Sequence, residues 1–171
     1  MSARIEVVDY NPLWPDMFVA ESQLLQAALR PWLAGPIEHV GSTAVVGLRA
    51  KPVIDIMAGV ESLEASRDAI EVVARLAYLY WPYKPDVMHW FCKPSPDART
   101  HHLHLVPVGS VRWRESLAFR DRLRSDAVAR AEYARLKDGL AQLHADDREA
   151  YTEGKSEYVQ RIVAEELGPP P

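Results

Sequence analysis

The 171 residues include 48% hydrophobic and 26% charged side chains, a composition typical of one soluble globular domain. Its 20 basic and 24 acidic residues give a formal net charge of −4, so the chain lacks the overall basic charge that favours nucleic acid. No apolar stretch approaches the roughly 20 residues that span a bilayer, and the alternating start MSARIEVVDY is unlike a signal peptide. The single cysteine, Cys92, excludes an internal disulfide, and we expect a cytoplasmic protein.

The N-terminal half contains strand and helix patterns in turn. Three segments alternate or run apolar as strands do: residues 4–10 (RIEVVDY), 36–40 (PIEHV) and 52–60 (PVIDIMAGV). Two segments have apolar residues at helical spacing. The first covers residues 16–33. The second follows Ser62, which is positioned to cap it, and runs to about residue 77. A Gly-Ser-Thr turn at residues 41–43 separates the second strand from the third.

The C-terminal half predicts two more strands and then only helices. The strands are VMHWFCK and THHLHLVPV, with the loop PSPDA between them. From Ser110 onward the pattern is helical, with breaks near Ser125 and near residues 145–147. This order predicts an α+β fold with a helical C-terminal layer. We expect a single domain over residues 1–167 and a disordered Pro-rich tail over residues 168–171.

The Gly-Ser-Thr turn has the composition of a phosphate site. Gly41 has no Cβ, so the backbone can approach a ligand closely. Backbone N–H groups there, with the hydroxyls of Ser42 and Thr43, can form a nest of donors for phosphate, and Lys51 can add a point charge. The alternative is an ordinary tight turn that caps a helix.

Asp55 interrupts the apolar strand that follows this turn. Its neighbours Ile54 and Ile56 point to the opposite face, and Met57 shares the face of the acid. A buried carboxylate is costly unless something compensates its charge. The sequence therefore predicts either a metal ion or a salt bridge to a basic side chain.

The chain resembles the GrpB family of nucleotidyltransferase-like proteins along nearly its whole length. The motifs that carry the resemblance are YNPLWPDMF, IEHVGSTAVVGLRAKPVIDI, WPYKPDVMHWFCKPSP, RTHHLHLV, LAFRDRLR, YARLKDGLA and YTEGKSEYV. The resemblance implies a nucleotidyltransferase-like fold, a mixed β-sheet flanked by helices. It also implies that Gly41, Ser42 and Asp55 lie at the edge of an active site.

One position departs from the catalytic pattern of the wider superfamily. There, two alternating acids and a third acid on a neighbouring strand hold two divalent ions. Met57 stands at the position of the second acid, and a thioether is a poor ligand for Mg²⁺. The ligand set of the usual two-metal mechanism is therefore incomplete in this chain.

Two histidines offer a different ligand set. His102 and His104 alternate with leucines, so their imidazoles lie on one face of a strand, while His101 points to the other. With Asp55 they would form a two-histidine, one-carboxylate set that suits Mn²⁺, Fe²⁺, Zn²⁺ or Ni²⁺ better than Mg²⁺. Two alternatives stay open: one histidine acts as a general base, or both form ordinary hydrogen bonds.

Basic residues of the C-terminal helices are further candidates for phosphate contacts. Arg120 and Arg124 lie on one helix face and can clamp a phosphate through bidentate contacts, although Asp121 is an equally suitable partner. The resemblance implies a similar role for Lys155, four residues after Tyr151. The aromatic residues Trp81, Tyr83 and Trp90 either pack in the core or form the wall of a pocket.

The resemblance, taken with these patterns, implies a protein that binds a nucleoside triphosphate and a divalent metal ion and transfers a nucleotidyl group to an unidentified acceptor. The ion is Mg²⁺ or Mn²⁺, or else Zn²⁺ or another transition metal. One alternative is a non-catalytic module that binds a nucleotide or another phosphorylated small molecule. The other is a transition-metal-dependent hydrolase that uses Asp55, His102 and His104. No basic stripe with interleaved aromatics indicates nucleic acid.

Overall fold

The computed structural model describes residues 4–168 of the chain. The strands are β1 (Leu33–Val40), β2 (Ile54–Val60), β3 (Leu79–Trp81), β4 (His89–Pro94) and β5 (Arg99–Pro107). The helices are α1 (Trp14–Leu29), α2 (Ala69–Ala74), α3 (Val111–Ser125), α4 (Ala127–Leu143), α5 (Arg148–Glu153) and α6 (Ser156–Leu167). Within the described residues, no helix is long and apolar enough to cross a membrane.

The five strands form one mixed sheet in the order β1-β2-β5-β4-β3. Strands β2 and β5 pair in parallel, and the other neighbours pair antiparallel. The sheet is central and helices flank it, so the predicted α+β class and the helical C-terminal layer are confirmed.

The two faces of the sheet are buried differently. One face packs against α1 and α2 and forms the largest core, with Ile54, Ile56 and Phe91 at its centre. The other face forms a smaller cluster that includes Met57 and Trp90 and is covered by Trp113 of α3. A third cluster joins the C-terminal helices to the segment that follows the Gly-Ser-Thr turn. Asp55 lies on the second face, toward the helical layer.

The predicted strand over residues 4–10 is wrong. This segment forms one isolated bridge, between Val8 and Ala50, and Ile5 donates a backbone hydrogen bond to Ala145. Alternation correctly predicted that one side of the segment is buried, since Ile5 is 7% exposed. It gave no information about a strand partner, and the segment stays outside the five-stranded sheet.

The predicted helix over residues 62–77 is mostly a series of turns. Ser62 does act as a cap, because its hydroxyl accepts a hydrogen bond from the backbone N–H of Ala65. The next carbonyls are used by side chains: Ser66 donates to Ser62, and His89 bonds to Leu63 at 2.8 Å. The regular helix α2 therefore covers only residues 69–74.

The C-terminal helices break where the sequence predicted, after Ser125 and at residues 144–147. Asp126 and Asp147 cap the helices that follow these breaks, each accepting two backbone N–H groups. A further break at Gly154 separates α5 from α6. The predicted disordered tail lies outside the described residues, apart from Gly168.

Candidate metal and phosphate site

The pairing of β2 with β5 brings the predicted metal ligands together. Asp55 lies directly beside His102, and Met57 lies beside His104. Oδ1 of Asp55 is 2.9 Å from Nδ1 of His102 and 3.6 Å from Nε2 of His104. Each of the three side chains offers a ligand atom, and these atoms lie within 4.8 Å of one another. We call Asp55, His102 and His104 the triad.

The triad is deficient in hydrogen-bond partners. Nε2 of His102 and Nε2 of His104 are both buried and form no hydrogen bond with the described residues. Nδ1 of His104 has only the sulfur of Met88, at 3.3 Å. Buried polar atoms without partners are rare and call for an explanation such as a bound ion.

A divalent ion fits this arrangement. Two ligand atoms held about 2.1 Å from one ion lie roughly 3.0–3.4 Å apart at octahedral or tetrahedral angles. The 3.6 Å between Asp55 and His104 is close to that range. Burial opposes ionisation of Asp55, but the hydrogen bond to His102 and the nearby imidazole of His104 outweigh it and hold the pKa of the carboxyl well below its usual value. Burial lowers the pKa of His104, which favours the neutral imidazole that a metal requires.

The Gly-Ser-Thr turn touches the triad through Gly41. This residue has φ 71° and ψ −172°, and a Cβ on it would lie 2.6 Å from Oδ2 of Asp55. Glycine is therefore required both by the backbone conformation and by the carboxylate. Thr43 is buried and bonds to His39 and to the carbonyl of Val53, so its hydroxyl holds the turn in place.

Three lysines surround two tyrosines beside the triad. Lys51 and Lys155 both lie over the ring of Tyr151, at 4.8 Å and 4.4 Å from its centroid. Lys137 lies over Tyr133 at 4.9 Å and donates to the backbone carbonyl of Arg49. Ser42 faces the hydroxyl of the same Tyr133.

These three amines share an unusual electrostatic environment. Burial, and then the charge of Lys155, lowers the pKa of Lys51 to about 8 and that of Lys137 to about 7. Burial likewise lowers the pKa of Lys155 to about 8, and the negative charge of Asp55 opposes this shift. A group of amines that repel one another is poised to bind an anion, which would relieve the repulsion.

Three arginines extend the positive charge around the triad. The positive charge of Arg112 contributes to the lowered pKa of His104. The charge of Arg148 contributes in the same way to the lowered pKa of Lys51 and of Arg99. The Nε atoms of Arg112 and Arg148 are buried and have no partner within the described residues. None of the six cations forms an ion pair with a carboxylate of residues 4–168; they are Lys51, Arg99, Arg112, Lys137, Arg148 and Lys155.

Two predicted phosphate ligands are engaged elsewhere. Arg120 is 8% exposed and binds Glu38, Asp121 and the carbonyl of His39. Arg124 donates to the carbonyl of Ala44. Both side chains hold α3 against β1 and the turn, and neither is among the six unpaired cations.

The comparison with known proteins identifies the family. Residues 4–165 match the GrpB protein family. The chain belongs to the GrpB family. This family member is 40% identical to the UPF0157 protein PA4798 of Pseudomonas aeruginosa, over 96% of this chain and 68% of that protein. It is 32% identical to the UPF0157 protein YqkA of Bacillus subtilis over 92% of this chain, and spans 46% of that longer relative.

A solved structure supports the same assignment. The crystal structure of the conserved protein GrpB from Enterococcus faecalis superimposes with a TM-score of 0.85 at 32% sequence identity. The match covers 95% of this GrpB family member and 97% of the other chain. The family resemblance predicted from the sequence motifs is therefore confirmed.

The structure places several of the predicted site residues close together. The structure brings together Gly41, Ser42, Lys51 and Lys155 around the triad, as the motifs predicted. The sequence patterns did not single out Lys137, Arg112 or Arg148. A basic residue on an amphipathic helix looks like an ordinary solvated side chain, and only helix docking shows that Lys137 is 2% exposed.

Proposed function

We propose that this protein binds a nucleoside triphosphate together with one divalent ion and transfers its nucleotidyl group to an acceptor hydroxyl, with cleavage of the bond between the α- and β-phosphates and release of pyrophosphate. The observation that carries the proposal is the convergence of the triad with six cations that have no carboxylate partner. A triphosphate supplies the several negative charges that such a cluster lacks. The nucleotidyltransferase-like fold implied by the family resemblance supports the same ligand class.

The triad would hold the ion, and its two imidazoles favour Mn²⁺, Zn²⁺ or another transition metal over Mg²⁺. Bound there, the ion would neutralise charge on a phosphate and polarise its oxygens. A single ion is the natural stoichiometry, because Met57 is 1% exposed and packs among apolar side chains where a second acid would be needed.

The remaining residues would bind and orient the polyphosphate. Lys51, Lys137 and Lys155 supply positive charge from the side of Tyr151 and Tyr133. The backbone of Gly41 stands against Asp55, so a phosphate beside the turn would lie within reach of the triad. Since Ser42 is in the same turn, its N–H and hydroxyl are suited to fixing one phosphate in position.

Isothermal titration calorimetry with Mn²⁺ or Zn²⁺ and each of ATP, GTP, CTP and UTP tests the proposal. We expect saturable binding with one metal ion per chain, lost in His104→Ala and weakened in Lys51→Met. The matched control is Arg161→Met, because Arg161 pairs with Glu132 and Glu165 on an exposed helix face. If none of the four nucleotides binds with either metal, the proposal is refuted.

A hydrolase acting on the same ligand is the second candidate. The observation that favours it is the imidazole content of the triad, since two histidines and one carboxylate leave positions of an ion open to water. Incubating the metal-loaded protein with ATP and no acceptor separates the candidates. Release of AMP or ADP at a catalytic rate supports hydrolysis, whereas a nucleotide that binds and stays intact contradicts the hydrolase and is expected both of a transferase without its acceptor and of a non-catalytic module.

We also propose a reducing, cytoplasmic location. The single cysteine, Cys92, is buried on β4 and is free. The ligand partner under this proposal is a nucleotide or a related phosphorylated small molecule, and the acceptor is a hydroxyl compound. Cell fractionation of the tagged chain tests the location, and recovery in a membrane or periplasmic fraction would contradict it.

A further inference from the structure

Aromatic residues continue the face of the sheet that carries the triad. Across the strands, Trp81 of β3 lies opposite Trp90 of β4, and Trp90 lies opposite His104 of β5. Directly opposed residues of antiparallel strands point to the same face. The three side chains therefore form one row that runs from the triad to the edge strand.

The outer part of this row is open to solvent. Trp81 is 60% exposed and Tyr83, which follows β3, is 45% exposed, whereas Trp90 is 8% exposed. We call Trp81, Tyr83 and Trp90 the aromatic wall. Tryptophan is highly buried on average, and neighbouring exposed apolar rings mark interaction sites, so Trp81 and Tyr83 together form a candidate contact surface next to the triad.

The aromatic wall is in contact with the triad. The ring centroid of Trp90 lies 4.9 Å from that of His102, and the rings of Tyr83 and Trp90 form a T-shaped pair with centroids 6.3 Å apart. Cations lie over two of the rings: Arg99 is 5.2 Å from the ring centroid of Trp90, and Lys84 is 5.5 Å from that of Tyr83. A ligand that combines a flat ring with negative charge therefore matches the wall in both shape and charge.

The spacing also suits a nucleotide. Trp81 is two strands from His104, and neighbouring strands are about 4.8 Å apart, so the exposed ring lies roughly 10 Å from the triad. The three lysines come from the segment before β2 and from the C-terminal helical region, whereas the aromatic wall belongs to β4, β3 and the residues after β3. A ligand with its phosphates at the lysines and the triad would extend its other end toward β3.

We propose that the aromatic wall stacks the heterocyclic base of the nucleotide, with Trp81 and Tyr83 as the contact residues. This inference rests on the proposed nucleotide binding and adds the position and chemistry of the base subsite. Stacking on an aromatic side chain accepts any base, because every base has a π face. The subsite therefore predicts that purine and pyrimidine nucleotides both bind, with the larger purine rings favoured.

The experiment compares a ligand that has a base with one that has none. ATP and inorganic tripolyphosphate are titrated with Mn²⁺ into the wild type, Trp81→Ala and Trp81→Phe. Since Trp81 is mostly exposed, its replacement leaves the core intact. We expect Trp81→Ala to weaken ATP binding by about 10-fold or more without changing tripolyphosphate affinity, and Trp81→Phe to restore most of the loss.

Each other outcome overturns the inference. Equal ATP affinity in the wild type and Trp81→Ala shows that no base lies on the wall, while the proposed function stands if both ligands still bind. If neither ligand binds the wild type, the proposed function fails and the base subsite fails with it. If Trp81→Ala instead dissociates a dimer in sedimentation and leaves ATP affinity unchanged, the wall is a contact between two copies of the chain.

Discussion

Gly41 is the residue whose replacement tests the geometry of the triad most directly. Its φ of 71° and ψ of −172° lie in a region that glycine alone adopts readily, and a Cβ there would lie 2.6 Å from Oδ2 of Asp55. The backbone strain alone costs about 1–3 kcal/mol of the free energy of unfolding. Because the carboxylate must also move, we predict that Gly41→Ala weakens Mn²⁺ or Zn²⁺ binding by about 10-fold or more.

Gly47 provides the matched control for this prediction. It also has a positive φ, 78°, but a Cβ there would meet no atom within 4 Å. Urea unfolding of both alanine variants in chelator should show a loss of stability, because both positions disfavour side chains. Calorimetry should show a loss of metal affinity in Gly41→Ala alone. If the two variants bound the metal equally well, the turn would not position Asp55 and the reasoning would be refuted.

The remaining predictions concern three side chains around the triad. Met57→Asp should lower the free energy of unfolding by about 3–5 kcal/mol, because it places an acid in an apolar cluster. The control Met57→Leu should lower it by less than about 1.5 kcal/mol. A stable Met57→Asp protein with new transferase activity would contradict this prediction. Arg120→Met should lower the free energy of unfolding by about 1.5–3 kcal/mol and leave ATP affinity unchanged, because the partners of Arg120 are Glu38 and Asp121. Reduced ATP affinity in the folded variant would show instead that Arg120 is a ligand of ATP. Lys137 has a folded-state pKa of about 7, below the ordinary 10.5, so its buried charge destabilises the wild type most below pH 7 and progressively less as the pH rises toward 10.5. Lys137→Met should therefore be more stable than the wild type in urea at pH 6, with a smaller difference at pH 9.5. A difference that grows as the pH rises would contradict the lowered pKa of Lys137.

The sequence predicted the sheet where alternation was combined with a chemical requirement. Asp55 and His102 had to share a buried environment, because each is polar within an apolar strand, and the structure pairs them directly. Strand β3 was missed, since three residues are too few for alternation to be recognised. The strand predicted over residues 4–10 failed because alternation indicates a buried side and says nothing about a hydrogen-bond partner.

The candidate site was predictable on its strands and unpredictable on its helices. His102 and His104 could be assigned to one face from a spacing of two residues. Lys137 and Arg148 reach the same site from α4 and α5, and their positions depend on how those helices dock. The helical pattern around Lys137 gives no sign of its burial, and only the three-dimensional structure shows that Lys137 and Arg148 have no carboxylate partner among the described residues.

The two halves of the triad are 47 positions apart in the chain, and a parallel strand pair joins them. Parallel neighbours cannot meet through a hairpin, so the chain must first complete α2, β3 and β4 before β5 can dock beside β2. Contacts this distant in sequence are closed late and at an entropic cost. Capture of a metal ion would thus report that β2 and β5 have paired, and a nascent polypeptide that stops before β5 would have no such affinity.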